Sequence, residues 1–236
     1  MSAIAVISDL HLGRRDRSDA FRHEDDEFLR FLDFLEDSFS SIVLLGDIWE
    51  TLRSRWPRAQ AHELAQVRAT HPEIAARFRG PKYRYVHGNH DLVSAAVDRA
   101  PSSWVTTLGT TNLYFTHGHD YDWHWQRARW LGEFGSWAGG WLLRMRLRAI
   151  FRTFDRIDNR VRGARPDPEH CAFQRWAIGL ARMKQADVIV TGHTHIGTRA
   201  EHGDKLFLNS GSCSQGEHQF LAIEPSRGHF ALHTSW

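Results

Sequence analysis

Ala3-Ile4-Ala5-Val6-Ile7-Ser8-Asp9-Leu10-His11-Leu12-Gly13 is a short apolar run that breaks into an acid, a histidine and a glycine. The apolar part, Ala3–Ile7, is too short for an ordinary helix and rich in branched residues. It reads as a strand buried on both faces. Similar runs recur along the chain: Ile42–Leu45 before Gly46-Asp47, Tyr83–Val86 before Gly88-Asn89-His90-Asp91, Asn112–Thr116 before His117-Gly118-His119, and Val188–Val190 before Gly192-His193-Thr194-His195.

Helical patterns lie between the first three runs. Asp25–Phe39 repeats Phe28, Leu29, Phe31, Leu32 and Leu35 at helical spacing, and Arg58–Phe78 is mostly helical, with His71-Pro72 expected to interrupt it. Strands alternating with helices predict parallel pairing in an α/β layered fold. Trp104–Leu108 and Asn112–Thr116 flank Gly109 and predict a hairpin. From Gly197 onward the pattern is strands and turns: Thr198–Glu201, Lys205–Leu208, Phe220–Ile223 and Phe230–His233, with His202-Gly203-Asp204 as a turn. An α/β half followed by a β-rich half fits a sandwich of two sheets with helices outside. The expected organisation is a single domain over residues 1–236, carrying a helical insertion at 123–165.

Composition places this among ordinary globular chains: 236 residues, 42% hydrophobic, 25% charged, net charge +2. That balance does not require a nucleic-acid partner. The 16 His exceed background and direct attention to a metal site, although many histidines are simply polar surface residues. Cys171 and Cys213 form no CxxC pair, so reduced thiols are expected. The opening residues lack the order of a signal peptide, and no run of about 18 apolar residues occurs. The expected location is the cytoplasm or the inner face of a membrane.

The carboxyl ends of strands in open α/β sheets converge on one crevice. Gly46, Gly88, Gly118 and Gly192 suit sharp turns there, which would aim the neighbouring Asp or His back into that crevice. A lone Asp-x-His or Gly-Asp is weak evidence, because Asp, Asn and Gly are also turn residues. Turn chemistry does not account for histidine at four of five strand ends, whereas a metal site does.

Together these blocks resemble the calcineurin-like metallophosphoesterase superfamily: Asp9-Leu10-His11, Gly46-Asp47-Ile48-Trp49-Glu50, Gly88-Asn89-His90-Asp91, His117 within Thr-His-Gly-His, and Gly192-His193-Thr194-His195 stand in that family's order. The resemblance implies a four-layer α-β-β-α sandwich of two mixed sheets. It implies two divalent metal ions, with Asp9, His11 and His195 on one, Asn89, His117 and His193 on the other, and Asp47 bridging both. Mixed N/O donors suit Mn²⁺ first, with Fe, Zn²⁺ or Co²⁺ also fitting, better than Ca²⁺ or Mg²⁺. The reaction implied is hydrolysis of a phosphate ester or anhydride by a hydroxide shared between the ions. His90 would donate a proton to the leaving oxygen or bond the phosphoryl group, and Glu50 would orient it or be a solvated loop acid. His119, Arg14, Trp123 and Arg127 are candidates for substrate contact, while Asp122 and His124 read as polar loop ends. Ser210-Gly211-Ser212 reads as a structural turn beside the site.

The insertion holds Trp123, Trp125, Trp130, Trp137 and Trp141 and many arginines, with apolar residues at helical spacing. Three readings compete for it: a helix packed on the domain with a solvated Arg face, a lid over the site, or a basic amphipathic surface for an anionic membrane. Helices at this place resemble the bacterial UDP-2,3-diacylglucosamine hydrolase group, as do Ser8–Gly13 and Gly46–Glu50. That group has Arg after the Asn ligand, whereas this chain has His90, as general phosphoesterases do. The substrate expected is a small phosphorylated molecule, either lipid-linked or not. Phosphodiester or pyrophosphate cleavage ranks first and phosphomonoester cleavage second. A nuclease ranks lower, its Arg following phosphates and its Trp stacking on bases. A non-catalytic binding module of the same fold is the alternative of another class.

Overall fold

The computed structural model describes residues 3–122, 127–147, 167–168 and 171–236 of the chain. In chain order it forms β1 (Ile4–Ile7), α1 (Asp25–Ser38), β2 (Ser41–Leu45), α2 (Gln60–Thr70), α3 (Pro72–Arg77), β3 (Tyr83–Val86), α4 (Ser94–Val97), β4 (Ser103–Leu108), β5 (Thr111–Thr116), α5 (Arg129–Arg144), α6 (Ala172–Met183), β6 (Val188–Thr191), β7 (Thr198–His202), β8 (Lys205–Asn209), β9 (Phe220–Glu224) and β10 (His229–His233).

The strands make two five-stranded sheets, ordered β10-β9-β1-β2-β3 and β4-β5-β6-β8-β7. In the first, β1, β2 and β3 are parallel while β9 and β10 run antiparallel. In the second, β5, β6 and β8 are parallel, with β4 and β7 antiparallel at the edges. Both sheets are therefore mixed. His71-Pro72 divides α2 from α3, as expected: proline has no N–H to donate, and its fixed φ suits a first helical turn.

Because successive side chains of a strand point to opposite faces, each central strand serves two cores. Ile4 and Val6 of β1, Val43 and Leu45 of β2, Leu113 and Phe115 of β5 and Val188 and Val190 of β6 meet between the sheets. Ala5 and Ile7 face the other way, onto Phe28, Phe31, Leu32 and Leu35 of α1 and onto Leu64, Val67 and Ile74 of α2 and α3. On the far side, Tyr114, Ile189 and Phe207 receive Phe173, Ala177, Ile178 and Ala181 of α6. The layers are thus α, β, β, α. Helix α6 stands outside the elements read from the sequence. Its buried stripe, Phe173, Ala177, Ile178 and Ala181, has ordinary helical spacing.

Of the 123–165 stretch, 123–126 and 148–165 lie outside the described residues, and Trp123 is among them. Helix α5 is described. Its buried positions are Gly139 and Gly140, and a Cβ on Gly140 would lie 3.0 Å from Arg53 Cβ. Arg144 anchors the helix end, donating from Nε to Asp16 Oδ2 at 2.8 Å and from a terminal nitrogen to the Arg53 carbonyl. Trp130, Phe134, Trp141 and Met145 are exposed. Among the described residues no helix is long and apolar enough to cross a membrane.

Candidate metal centre

Five loops leave the carboxyl ends of β1, β2, β3, β5 and β6, and they deliver the predicted residues to one place. Asp9 and His11 follow β1, Asp47 follows β2, Asn89 and His90 follow β3, His117 follows β5, and His193 and His195 follow β6. Backbone bonds fix the loops to one another. Asp9 N–H donates to Gly46 O at 3.1 Å, His11 N–H to Asp47 O at 2.9 Å, and Gly192 N–H to His117 O at 3.1 Å.

Two of the predicted glycines have the backbone expected of them: Gly46 has φ +82° and Gly118 has φ +101°. Gly88 and Gly192 serve a different purpose. A Cβ on Gly88 would lie 2.2 Å from Asp47 Oδ1, and one on Gly192 would lie 2.7 Å from Asp9 Oδ2. These glycines exist for close approach, not for a left-handed turn. The left-handed conformation falls instead on the functional residues: Asp9 (φ 53°), His11 (φ 50°), Asp47 (φ 53°), His193 (φ 69°) and His195 (φ 57°). Such backbone costs free energy in a non-glycine residue and persists only where the surroundings enforce it.

The polar side chains converge in three overlapping groups whose nitrogen and oxygen atoms lie within 4.8 Å of one another: Asp9, His11 and His195; His11, Asp47 and His90; and Asp47, His117 and His193. His195 Nε2 is 3.1 Å from Asp9 Oδ1 and 3.3 Å from His11 Nε2. His117 Nε2 is 3.3 Å from Asp47 Oδ2. His117 Nδ1–H donates to the Leu45 carbonyl at 2.8 Å, which fixes the tautomer and turns Nε2 to the cluster. His193 N–H donates to Asp9 Oδ2 at 3.0 Å, and its ring Nε2 lies 2.8 Å from Asp122 Oδ2. His90 Nδ1 is 3.0 Å from both Glu50 oxygens, and His90 N–H donates to Asp47 Oδ1 at 2.8 Å. Glu50 is further held by Arg53 Nε at 3.3 Å and lies 3.5 Å from His11 Nδ1.

The electrostatics are those of a buried anionic cavity. Burial opposes ionisation of Asp9, yet His195 and His117 bring its pKa down to about 2. Burial likewise opposes the charged forms of Asp47 and Glu50. His117 and His90 outweigh it at Asp47, and His90 and Arg53 at Glu50, holding both well below the usual range. Burial disfavours a charged His117, but Asp47 and Asp9 hold its pKa up at about 10. A proton on His117 thus stands where a cation would satisfy the same carboxylates. His119 differs: burial, His117 and His193 push it down to about 3.

Several buried atoms at these strand ends, among them Asp9 Oδ1, His11 Nδ1, Asn89 Oδ1 and His117 Nε2, make no well-aligned hydrogen bond. Buried polar atoms are rarely left so. They come from different strand ends and are carboxylate, amide and imidazole donors, the mixed N/O set of a transition-metal site. The residues present therefore fit a pair of divalent metal ions, and the absence of Cys among them excludes a thiolate zinc site there.

The substrate candidates fall in different places. His119 is buried beside His117, with ring centroids 5.7 Å apart. Arg14 is turned to α2, donating to Glu63 Oε2 at 3.2 Å and Gln66 Oε1 at 3.3 Å. Arg127 is exposed, and Trp123 lies outside the described residues.

Two further acids matter here. Asp91 is fully buried and accepts from the backbone N–H of Gly88, Asp47, Ile48 and Trp49, and from the Tyr85 hydroxyl at 2.7 Å, so it ties the Asp47 loop to the Asn89 loop. It was visible as the last letter of Gly-Asn-His-Asp. Asp122, which reads as a loop end in sequence, touches His193, and no local signal marks that contact. The Ser210–Ser212 turn is structural as expected: Ser210 Oγ is 2.7 Å from Ser8 Oγ, and Ser212 Oγ donates to Asp9 O at 3.0 Å.

Calcineurin-like phosphoesterase is the family that matches this sequence, over residues 2–197. No curated protein matches it. Among solved structures, a predicted phosphoesterase from Streptococcus pneumoniae is 17% identical, covering 100% of this chain and 92% of its own, with a TM-score of 0.48. An archaeal phosphodiesterase is 12% identical, covering 98% and 99%, with a TM-score of 0.48. Zinc-complexed Vps29 from Entamoeba histolytica is 16% identical, covering 98% and 97%, with a TM-score of 0.47.

Proposed function

Since this chain belongs to the calcineurin-like phosphoesterase family, we propose that it hydrolyses phosphodiester or pyrophosphate bonds in a metal-dependent reaction. The observation that carries this reading is the His90–Glu50 pair at the edge of the ligand cluster, with Nδ1 3.0 Å from both carboxylate oxygens. Asp9, His11 and His195 would hold one ion, Asn89, His117 and His193 the other, and Asp47 both. When bound, a metal pair supplies Lewis-acid stabilisation of phosphoryl charge and acidifies a water.

The chain's own residues do the rest. Glu50 takes the Nδ1–H of His90 and fixes the ring, leaving Nε2 to hold a proton for the leaving oxygen. Arg53 braces Glu50 from behind. His117 and His193 stay oriented through Leu45 O and Asp9 respectively. Arg14 and Arg53 flank the Asp9 and Asp47 loops in sequence but are bonded to Glu63, Gln66, Glu50 and Ser18. Among the described residues these two arginines are turned to protein partners, which favours a singly charged diester over a doubly charged monoester. Within this class, a lipid-linked pyrophosphate such as UDP-2,3-diacylglucosamine is the narrower reading. The exposed Trp130, Phe134 and Trp141 of α5 support it, because Gly140 of the same helix rests on Arg53, which is paired with Glu50. The same face would meet an anionic membrane surface.

The test is turnover of the Mn²⁺-loaded protein on a diester and a monoester of one leaving group. Diester preference is expected, and monoester preference would reverse the assignment. On a poor alkyl leaving group His90→Ala should lower kcat by about 10²–10⁴-fold, and less on a nitrophenyl group, as expected of a general acid. No turnover with any divalent metal would overturn the enzymatic reading.

A further inference from the structure

We propose that Asp122 is a positioning residue for the metal centre, acting through His193. The inference rests on the metal-dependent reading above. Asp122 Oδ2 lies 2.8 Å from His193 Nε2, and both side chains are largely buried, at 13% and 3% exposure. A carboxylate on one ring nitrogen fixes the tautomer: Nε2 carries the hydrogen and donates it, and Nδ1 is left with its lone pair for a cation. Partners of this kind orient imidazole ligands and raise their basicity.

The fold shows how Asp122 reaches this position. Gly118, at φ +101°, turns the chain after His117, and a Cβ there would meet Phe173 Cζ at 2.8 Å. A single 3₁₀ turn, His119–Tyr121, follows, closed by Tyr121 N–H to Gly118 O and Asp122 N–H to His119 O, both at 3.1 Å. One loop thus provides two groups. Its first residue, His117, belongs to the cluster itself, and its sixth, Asp122, grips His193 on the neighbouring strand end. His193 is then held at both ends, its backbone N–H by Asp9 and its ring by Asp122. Its left-handed backbone, φ 69°, shows that the surroundings and not local preference set its direction.

The experiment is Mn²⁺ titration of the metal-free full-length protein by calorimetry, with bound metal counted after gel filtration, and needs no substrate. The unaltered protein should take two ions. Asp122→Ala should weaken one of them by about 10–100-fold and leave the other unchanged. Asp122→Asn keeps an acceptor oxygen and should recover part of that loss. His193→Ala should weaken the same ion, and adding Asp122→Ala to it should cause no further loss, since the two act as one unit. Asp120→Ala, in the same turn, should leave both affinities unchanged, which separates positioning from mere integrity of the turn. Unchanged affinities in Asp122→Ala alongside two-ion binding by the unaltered protein would overturn this inference and leave the function standing. An unaltered protein that binds no metal would overturn both.

Discussion

The two halves of the proposed ligand cluster would share Asp47 but face different surroundings. In the half made by Asp9, His11 and His195, the His195 side chain is 45% exposed. In the half that Asn89, His117 and His193 would make, the two histidine side chains are 0% and 3% exposed. The open half also carries the Glu50–His90 pair against His11, with His11 and His90 rings 4.6 Å apart. The closed half is held by a backbone carbonyl behind His117 and a carboxylate behind His193. On the proposed function, one side would serve access and proton handling and the other retention. Burial decides the difference, because a desolvated charge must be matched by a fixed partner while an exposed one is matched by water.

The largest expected effect removes the distinction altogether. Asp47→Asn takes away the carboxylate common to both halves, so both ions should be weakened by more than the ~10–100-fold typical of losing an outer partner. Metal counting would reveal it, and loss of one ion alone would show that Asp47 serves a single half. Next, Glu50→Gln should disturb only the open half. It leaves His117 and His193 untouched but weakens the hold on His90, so kcat should fall roughly 10–100-fold with the closed-half ion retained.

A third comparison sets His117→Ala against His195→Ala in chelator. In the metal-free protein His117 lies buried between two carboxylates, which favour its charged form, and donates to Leu45 O. Its loss strands these acceptors, and the unfolding free energy should drop by at least about 1–3 kcal/mol, seen as a lower Tm. His195→Ala, at a water-exposed position, should cost far less. Equal Tm losses would contradict the open and closed description.

The smallest effect concerns α5. Burial raises the Asp16 pKa, but Ser18 and Arg144 outweigh it and hold the carboxyl below its usual 3.8. A depressed acid contributes its full stability above the unfolded pKa and loses it as pH falls through the folded one. The Asp16–Arg144 anchor should therefore persist through mildly acidic pH and fail only below about 4. Asp16→Asn should cost only about 1 kcal/mol, measured by denaturant unfolding at neutral pH, because the pair is partly solvated. An equal cost for Asp16→Asn at neutral pH and well below pH 3 would refute this account.

Much of this architecture was legible in the residues. The apolar run Ala3–Ile7, the helical spacing of Phe28 to Leu35, and the break at His71-Pro72 are all local patterns, and the elements fall within a residue or two of them. Helix α6 was also legible, since Phe173, Ala177, Ile178 and Ala181 recur at helical spacing, but it lay outside the predicted elements. The functional motifs stood out because each sits directly after a strand, where the chain must turn.

The sequence by itself determined which donor atoms exist, in what order, and at which strand ends, because strand and turn preferences arise from sterics within a few residues. Only the tertiary structure decided the pairings. Asp122 meets His193 across 71 positions, Arg14 is drawn to Glu63 across 49, and His195 faces water while His117 does not. These contacts depend on how two sheets and their helices pack, and pair energies of that kind depend on distance and burial, which adjacent residues do not encode.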